Sequence, residues 1–273
     1  MLEYGFRGLI GLLTPQSNTT VEPEFWIMAP AGANLINARL VSQAGAMNDR
    51  LVDYAWQAEA TLEQFGNAPL SAVAFACTGS SYLIGAADET GLIERLEAKM
   101  KAPFVTAARA ITEALRTLSA HRIALISPYS PDLTTASVDY WRRSGLEIAQ
   151  VIAVAPPPNS FHPIYGIDAR SVGLAIDAVA AEVDAILLLG TGMPTLGPIL
   201  ERAGRGGALL LSSNLCLGWL AISRACRVHT DRDGLMAWIG GAGWAERLLA
   251  RRTPDGCPDR AASGTISSPF GQH

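Results

Sequence analysis

The chain has 273 residues, 49% hydrophobic and 17% charged, with a formal net charge of −4. That length carries one large domain or two of ordinary size, and so apolar a chain is not intrinsically disordered. Lys99 and Lys101 are the only lysines, so no basic stripe is available to track a nucleic-acid backbone and no nucleic-acid partner is expected.

Membrane and secretory segments are not expected either. No apolar run approaches the roughly 18 residues of a membrane helix, and the first residues lack the basic-then-apolar order of a signal peptide. The cysteines, Cys77, Cys216, Cys226 and Cys257, have no framework spacing and suit a reducing compartment, so the cytoplasm is the expected location.

Taken in chain order, apolar runs predict strands over 8–14, 39–44, 72–76 and 104–106, then over 122–127, 147–154, 185–189 and 208–211. Amphipathic stretches between them predict helices over 53–65, 93–100, 107–118, 133–144 and 171–183. Strand and helix alternate, which is the pattern of an α/β fold with parallel sheets flanked by helices. Two more helical stretches, 214–227 and 234–250, follow. From 251 to 273 the composition turns to Arg, Pro, Asp, Gly and Ser without periodicity, as in a mobile tail.

The predicted strands repeat. Residues 10–17 read I-G-L-L-T-P-Q-S and residues 123–130 read I-A-L-I-S-P-Y-S, an offset of 123 − 10 = 113. Residues 72–83 (A-V-A-F-A-C-T-G-S-S-Y-L) match 185–196 (A-I-L-L-L-G-T-G-M-P-T-L) at 185 − 72 = 113 again. One offset shared by two matches implies a duplication. It predicts two pseudo-symmetric lobes: residues 1–115, completed by returning helices over 213–250, and residues 116–212. Each repeated piece is an apolar run emptying into small polar residues, and ligands of α/β sheets sit beyond such strand ends. Four loops are therefore expected to face one cleft between the lobes.

The copies differ at a cysteine. Cys77 stands where the second copy has Gly190. A thiol at a strand tip, followed by Thr78 and Gly79 and by a helix expected to begin near Tyr82, would have its pKa lowered and would sit beside donors for a carboxylate. The alternative is a small buried residue without chemistry. Asn18 and Tyr129, in the loops after the first strand of each copy, are candidate ligand contacts, and Ser17, Thr19 and Thr20 serve equally well as helix caps. Cys216 and Cys226 read as core, Cys257 as incidental, and no zinc spacing is present. Gly190-Thr191-Gly192 lacks the third glycine of a dinucleotide loop, which falls at Thr195. None of His121, His162, His229 and His273 has a context that suggests catalysis.

These motifs resemble the aspartate/glutamate racemase superfamily, in its branch of maleate cis–trans isomerases and arylmalonate decarboxylases. The segment 11–20, G-L-L-T-P-Q-S-N-T-T, resembles the isomerase P-S-S-N-T-T signature. A-C-T-G-S-S at 76–81 is similar to the loop of the isomerase nucleophile, S-P-Y at 127–129 to its T-P-Y, and L-G-T-G-M-P-T-L at 189–196 to C-x-x-M-P-S-L. The resemblance implies two lobes with the active site between them, no metal and no organic cofactor. It implies Cys77 as the catalytic thiol and Asn18, Thr78, Gly79, Tyr129, Gly190, Thr191 and Gly192 around a small mono- or dicarboxylate.

Two departures stand out. An asparagine that isomerases carry near Ala169 is absent, and Gly190 replaces a second thiol. Arylmalonate decarboxylases also have one cysteine, but in the second lobe. A two-base racemase needs a proton acceptor on each face, so one-sided chemistry is expected, with a cysteine introduced at Gly190 restoring a second thiol if the loop can hold it. Three functions stay open: a maleate-type isomerase, a decarboxylase with Cys77 as one-face proton donor, and a non-catalytic carboxylate-binding protein. Apolar helices near Trp219 and Trp238 suggest a homo-oligomer.

Overall fold

The computed structural model describes residues 2–252. Its first sheet contains β1 (Gly8–Pro15), β2 (Ala33–Leu40), β3 (Ala72–Phe75) and β4 (Phe104–Thr106), in the order β2-β1-β3-β4. The second contains β5 (Arg122–Ser127), β6 (Glu147–Ala153), β7 (Ala185–Leu188) and β8 (Leu209–Ser212), in the order β6-β5-β7-β8. Every pairing is parallel. The duplication extends to register: Ile10 pairs with Ala72, and Ile123, 113 residues on, pairs with Ala185. The fold is the two-lobed α/β architecture expected.

The central strands form because their apolar runs are covered on both faces, as parallel sheets require. All eight residues of β1 are buried, as are all four of β3 and of β7. Helices flank them: α1 (Val21–Met28), α2 (Met47–Trp56), α3 (Ala58–Leu62), α4 (Thr78–Met100) and α5 (Ala107–Leu118) in the first half. In the second lie α6 (Pro131–Arg143), α7 (Ala169–Asp177), α8 (Leu196–Arg202), α9 (Ser213–Cys226), α10 (Arg232–Ile239) and α11 (Ala245–Arg252). Local chemistry sets their starts. The Thr106 hydroxyl accepts from the Arg109 N–H at 3.1 Å to cap α5, and Ser212 caps α9 through the Leu215 N–H at 3.1 Å. Pro131 opens α6, where a missing N–H costs nothing.

Several predicted elements shift. The strand expected over 39–44 is Ala33–Leu40; as an edge strand it is interrupted by Asn34, Asn37 and Arg39, none of them buried, which masks the apolar signal. The helix expected over 53–65 is α2, α3 and a 3₁₀ turn at Glu63–Phe65. The one expected over 93–100 begins at Thr78 and bends at Gly85, whose φ is 82°. The stretch 171–183 is helical only as far as Asp177, where α7 ends, and 234–250 divides into α10 and α11. Arg251 and Arg252, expected in the tail, belong to α11; Cys257 and the rest of that segment lie outside the described residues.

Helix α9 packs against β1, β3 and α5 and reaches β8. Ten consecutive residues, Ser213 to Ile222, are buried. Trp219 is among them, and the Trp238 indole donates to the Leu215 carbonyl at 3.1 Å. Helix α9 thus turns its apolar residues inward, whereas α10 buries Leu235 and Ile239 and leaves Met236 exposed. Among the described residues no helix is long and apolar enough to cross a membrane, and no cluster of side chains could hold a metal.

Candidate active site

The carboxyl ends of β1, β3, β5 and β7 open on one side, and their loops converge. Pro15, Cys77, Thr78, Gly79, Tyr129, Gly190, Thr191 and Gly192 line a single cavity of about 40 Å³. All four repeated loops contribute, as ligand placement at strand ends requires.

Cys77 is the N-cap of α4, 4% exposed. Its sulfur accepts from the Ser80 hydroxyl at 3.1 Å and lies on the first-turn N–H groups of Gly79 and Ser80. The helix thus starts at the thiol itself, rather than near Tyr82. The expected lowering of the thiol pKa does not result. Burial pushes it up, and the hydroxyl and two N–H groups offset this only in part. For a sulfur this buried, the desolvation of a thiolate outweighs the donors at a helix end.

Opposite, the Tyr129 hydroxyl and the Thr78 hydroxyl are 2.9 Å apart, joining the second lobe to α4. Burial raises the Tyr129 phenol well above its ordinary range, so it remains a protonated donor. Thr191 donates to the Ala76 carbonyl at 2.9 Å and accepts from the Asn18 amide at 3.1 Å. Asn18 differs from expectation. It is 1% exposed and does not line the cavity; its carbonyl accepts from the Thr20 and Val21 N–H groups at 2.9 and 3.1 Å. It caps α1 and holds Thr191 from below. Thr20, in turn, donates to the Gly192 carbonyl at 2.8 Å.

Gly190 has a φ of +80°, and a Cβ there would lie 3.1 Å from Pro128 and 3.3 Å from the Tyr129 hydroxyl. A cysteine therefore cannot simply be restored at this position. Gly192 has a different reason: a Cβ there would come within 2.4 Å of the Tyr165 ring. Its lack of a side chain lets Tyr165 close the cavity.

The remaining lining was not found from the sequence: Met47 and Leu51 from α2, Leu133 from α6, and His162, Ile164 and Tyr165 from the loop after β6. They come from elements that the repeat does not match, so the 113-residue offset carried no signal for them. The rule that ligands sit beyond strand ends, applied to the edge strands too, would have pointed to 154–168. His162, set aside in the sequence, stacks on Tyr165 with centroids 3.8 Å apart and planes 11° from parallel. Burial and the nearby Arg50 lower its pKa. No lysine or arginine among the described residues lines the cavity. The arrangement offers one thiol, protonated phenols and backbone donors, within partly apolar walls.

Known proteins share this organisation. A maleate isomerase of Pseudomonas putida is 24% identical over 210 residues, covering 72% of this chain and 84% of that protein. The crystal structure of a maleate isomerase from Pseudomonas putida S16 with maleate superposes with a TM-score of 0.75 at 22% identity, covering 86% of this chain and 98% of that one. The Nocardia farcinica maleate cis–trans isomerase, in a mutant with a covalently bound succinylcysteine intermediate, superposes with a TM-score of 0.68 at 25% identity, covering 81% and 93%. The family model of arylmalonate decarboxylase matches residues 10–234, the whole of both sheets apart from the first two residues of β1, and the chain belongs to that family.

Proposed function

We propose that this protein is a cofactor-independent cis–trans isomerase of a small enedioate of the maleate type, with Cys77 as nucleophile. The Cys77 thiolate adds to one alkene carbon, and the π electrons move onto the neighbouring carbon and its carboxylate as an enediolate. The former double bond, now single, rotates. The electron pair then re-forms the double bond in the trans geometry and expels the thiolate. Tyr129, Thr78 and the backbone N–H groups of Gly79, Thr191 and Gly192 are the donors for carboxylate oxygens on which charge develops. Asn18 acts through Thr191 as a positioning residue, and Gly190 supplies the turn that admits Tyr129.

The observation that carries this reading is Cys77 at the start of α4, inside a cavity bounded by all four repeated loops. The maleate in a cysteine-to-alanine variant of the P. putida S16 enzyme supports a four-carbon diacid as ligand, and the succinylcysteine in the N. farcinica enzyme supports its adduct with a cysteine. Incubation with maleate followed by proton NMR tests it: conversion to fumarate is expected, and unchanged maleate would end this reading.

A second reading is favoured by two observations, the burial that keeps the thiol protonated and the apolar wall of Met47, Leu51, Leu133 and Ile164. In it, an arylmalonate loses carbon dioxide and Cys77 protonates the enediolate from one face. The same NMR assay with phenylmalonate separates the two.

A further inference from the structure

We infer that His162 is a neutral hydrogen-bond donor to the second carboxylate of the substrate, and that this contact selects a dicarboxylate over a monocarboxylate. The inference rests on the enedioate reading above and names a residue for it.

The geometry around His162 fixes what it can offer. Its Nδ1 accepts from the N–H groups of Ile164 and Tyr165, at 3.2 and 3.4 Å. A nitrogen that accepts two N–H groups carries no proton, so the proton of the neutral ring is on Nε2, at the opposite edge. Stacking on Tyr165 holds the ring plane, and Tyr165 is itself seated against Gly192. The imidazole is thus tied to the loop of β7 while lining the Cys77 cavity. Among the described residues, Nε2 has no hydrogen-bond partner.

Charge points the same way. Arg50 on α2 acts on both His162 and Tyr165. Its field favours an anion at this end of the cavity and disfavours the imidazolium. His162 therefore meets a carboxylate as an N–H dipole and not as a counter-ion. That suits isomerisation: one carboxylate must swing when the carbon–carbon bond rotates, and a single neutral donor releases it where a bidentate cation would hold it.

The experiment uses Cys77→Ser, so that binding is measured without turnover, and titrates maleate and cis-but-2-enoate calorimetrically. The second ligand has a methyl group in place of one carboxylate. In this background His162→Phe keeps the ring stack and removes the donor, while His162→Asn keeps an acceptor for the Ile164 and Tyr165 N–H groups and removes Nε2–H. Loss of one hydrogen bond to a charged group weakens binding by roughly tenfold or more. Both variants are expected to weaken maleate binding by about that factor and to leave cis-but-2-enoate binding unchanged. Equal losses for both ligands in His162→Phe, recovered in His162→Asn, would mean that His162 only holds its loop, and would overturn the inference. Unchanged maleate binding in both variants, or no maleate binding by Cys77→Ser, would overturn it as well. Turnover of maleate by the unsubstituted protein is scored separately: binding that depends on His162 without turnover would end the isomerase reading and leave the donor role standing.

Discussion

At Cys77 two effects of the local sequence oppose one another. The strand–cysteine–helix order puts Gly79 and Ser80 N–H groups on the sulfur, and the same order buries it. Burial prevails, so thiolate is scarce near neutral pH. The group is an acid whose folded-state pKa is raised, so its reactive form gains as pH rises. If thiolate addition limits the rate, kcat/KM should climb about tenfold per pH unit through pH 7–9, with no plateau near the ordinary thiol value of about 8.5. A pH–rate profile checks this; a plateau near pH 7 would show that another group ionises the sulfur and would end this account of Cys77. Cys77→Ala should abolish turnover with a melting temperature close to that of the wild type, since a small side chain replaces a small one.

Within the elements, the loop from β7 to α8 decides whether the missing second thiol can be regained. With φ at +80° and Pro128 at 3.1 Å from a Cβ, Gly190→Cys should destabilise the fold by about 1–2 kcal/mol or more from backbone strain alone. Such a variant is expected to melt lower and to gain no racemisation of a resolved 2-arylpropionate in deuterium oxide. Exchange with inversion would show that the loop can rebuild. The glycine identity was legible in the sequence; its conformation was not, because a repeat alignment records residue type and says nothing of φ. The same limit explains β2 and the loop after β6. Central strands announce themselves by unbroken apolar runs, as β3, β5 and β7 do. An edge strand interrupted by Asn34, Asn37 and Arg39 does not, and neither does a cavity wall built from the Pro-rich segment that carries His162. Thus the motif residues that line the cleft could be read from the chain. The side of the cleft that gives it shape could not, and Asn18 lies one contact behind the lining, on Thr191.

At the scale of the whole molecule, two buried carboxylates join the halves: Glu89 accepts from the hydroxyls of Ser81 and Thr106 in the first and of Tyr140 in the second. Glu24 on α1 accepts from the N–H groups of Thr195 and Leu196, at 2.6 and 3.1 Å, and from the Asn214 amide at 2.7 Å. Glu24→Ala strands three buried donors. At roughly 1–3 kcal/mol for each, the loss is about 3 kcal/mol or more, and a fall in melting temperature of about 6–12 °C is expected for a chain of this size. Burial raises the Glu24 pKa, with the hydrogen bonds opposing. Between the ordinary glutamate value and the raised one the folded state binds more proton than the unfolded, so this residue's contribution falls as pH rises through that window. Glu24→Gln should lose less than Glu24→Ala, and its stability relative to wild type should improve as pH rises across the same window. Calorimetric melting of the three proteins across pH measures both effects, and indistinguishable curves would remove Glu24 as a tie between the sheets.

One wall of the cavity beside Cys77 is the stacked pair His162 and Tyr165, and the Tyr165 ring sits where a side chain at Gly192 would be. Entry of a four-carbon diacid is expected to wait on a rarer conformer in which Tyr165 has left Gly192, so that the ligand captures that conformer instead of colliding its way in. The kinetic signature is saturation: in stopped-flow mixing with excess maleate, the observed rate should level off at the opening rate, and added viscogen should lower that ceiling. Shrinking Tyr165 to leucine should lift the ceiling, while a rate that grows linearly with ligand concentration would mean that the gate stands open already.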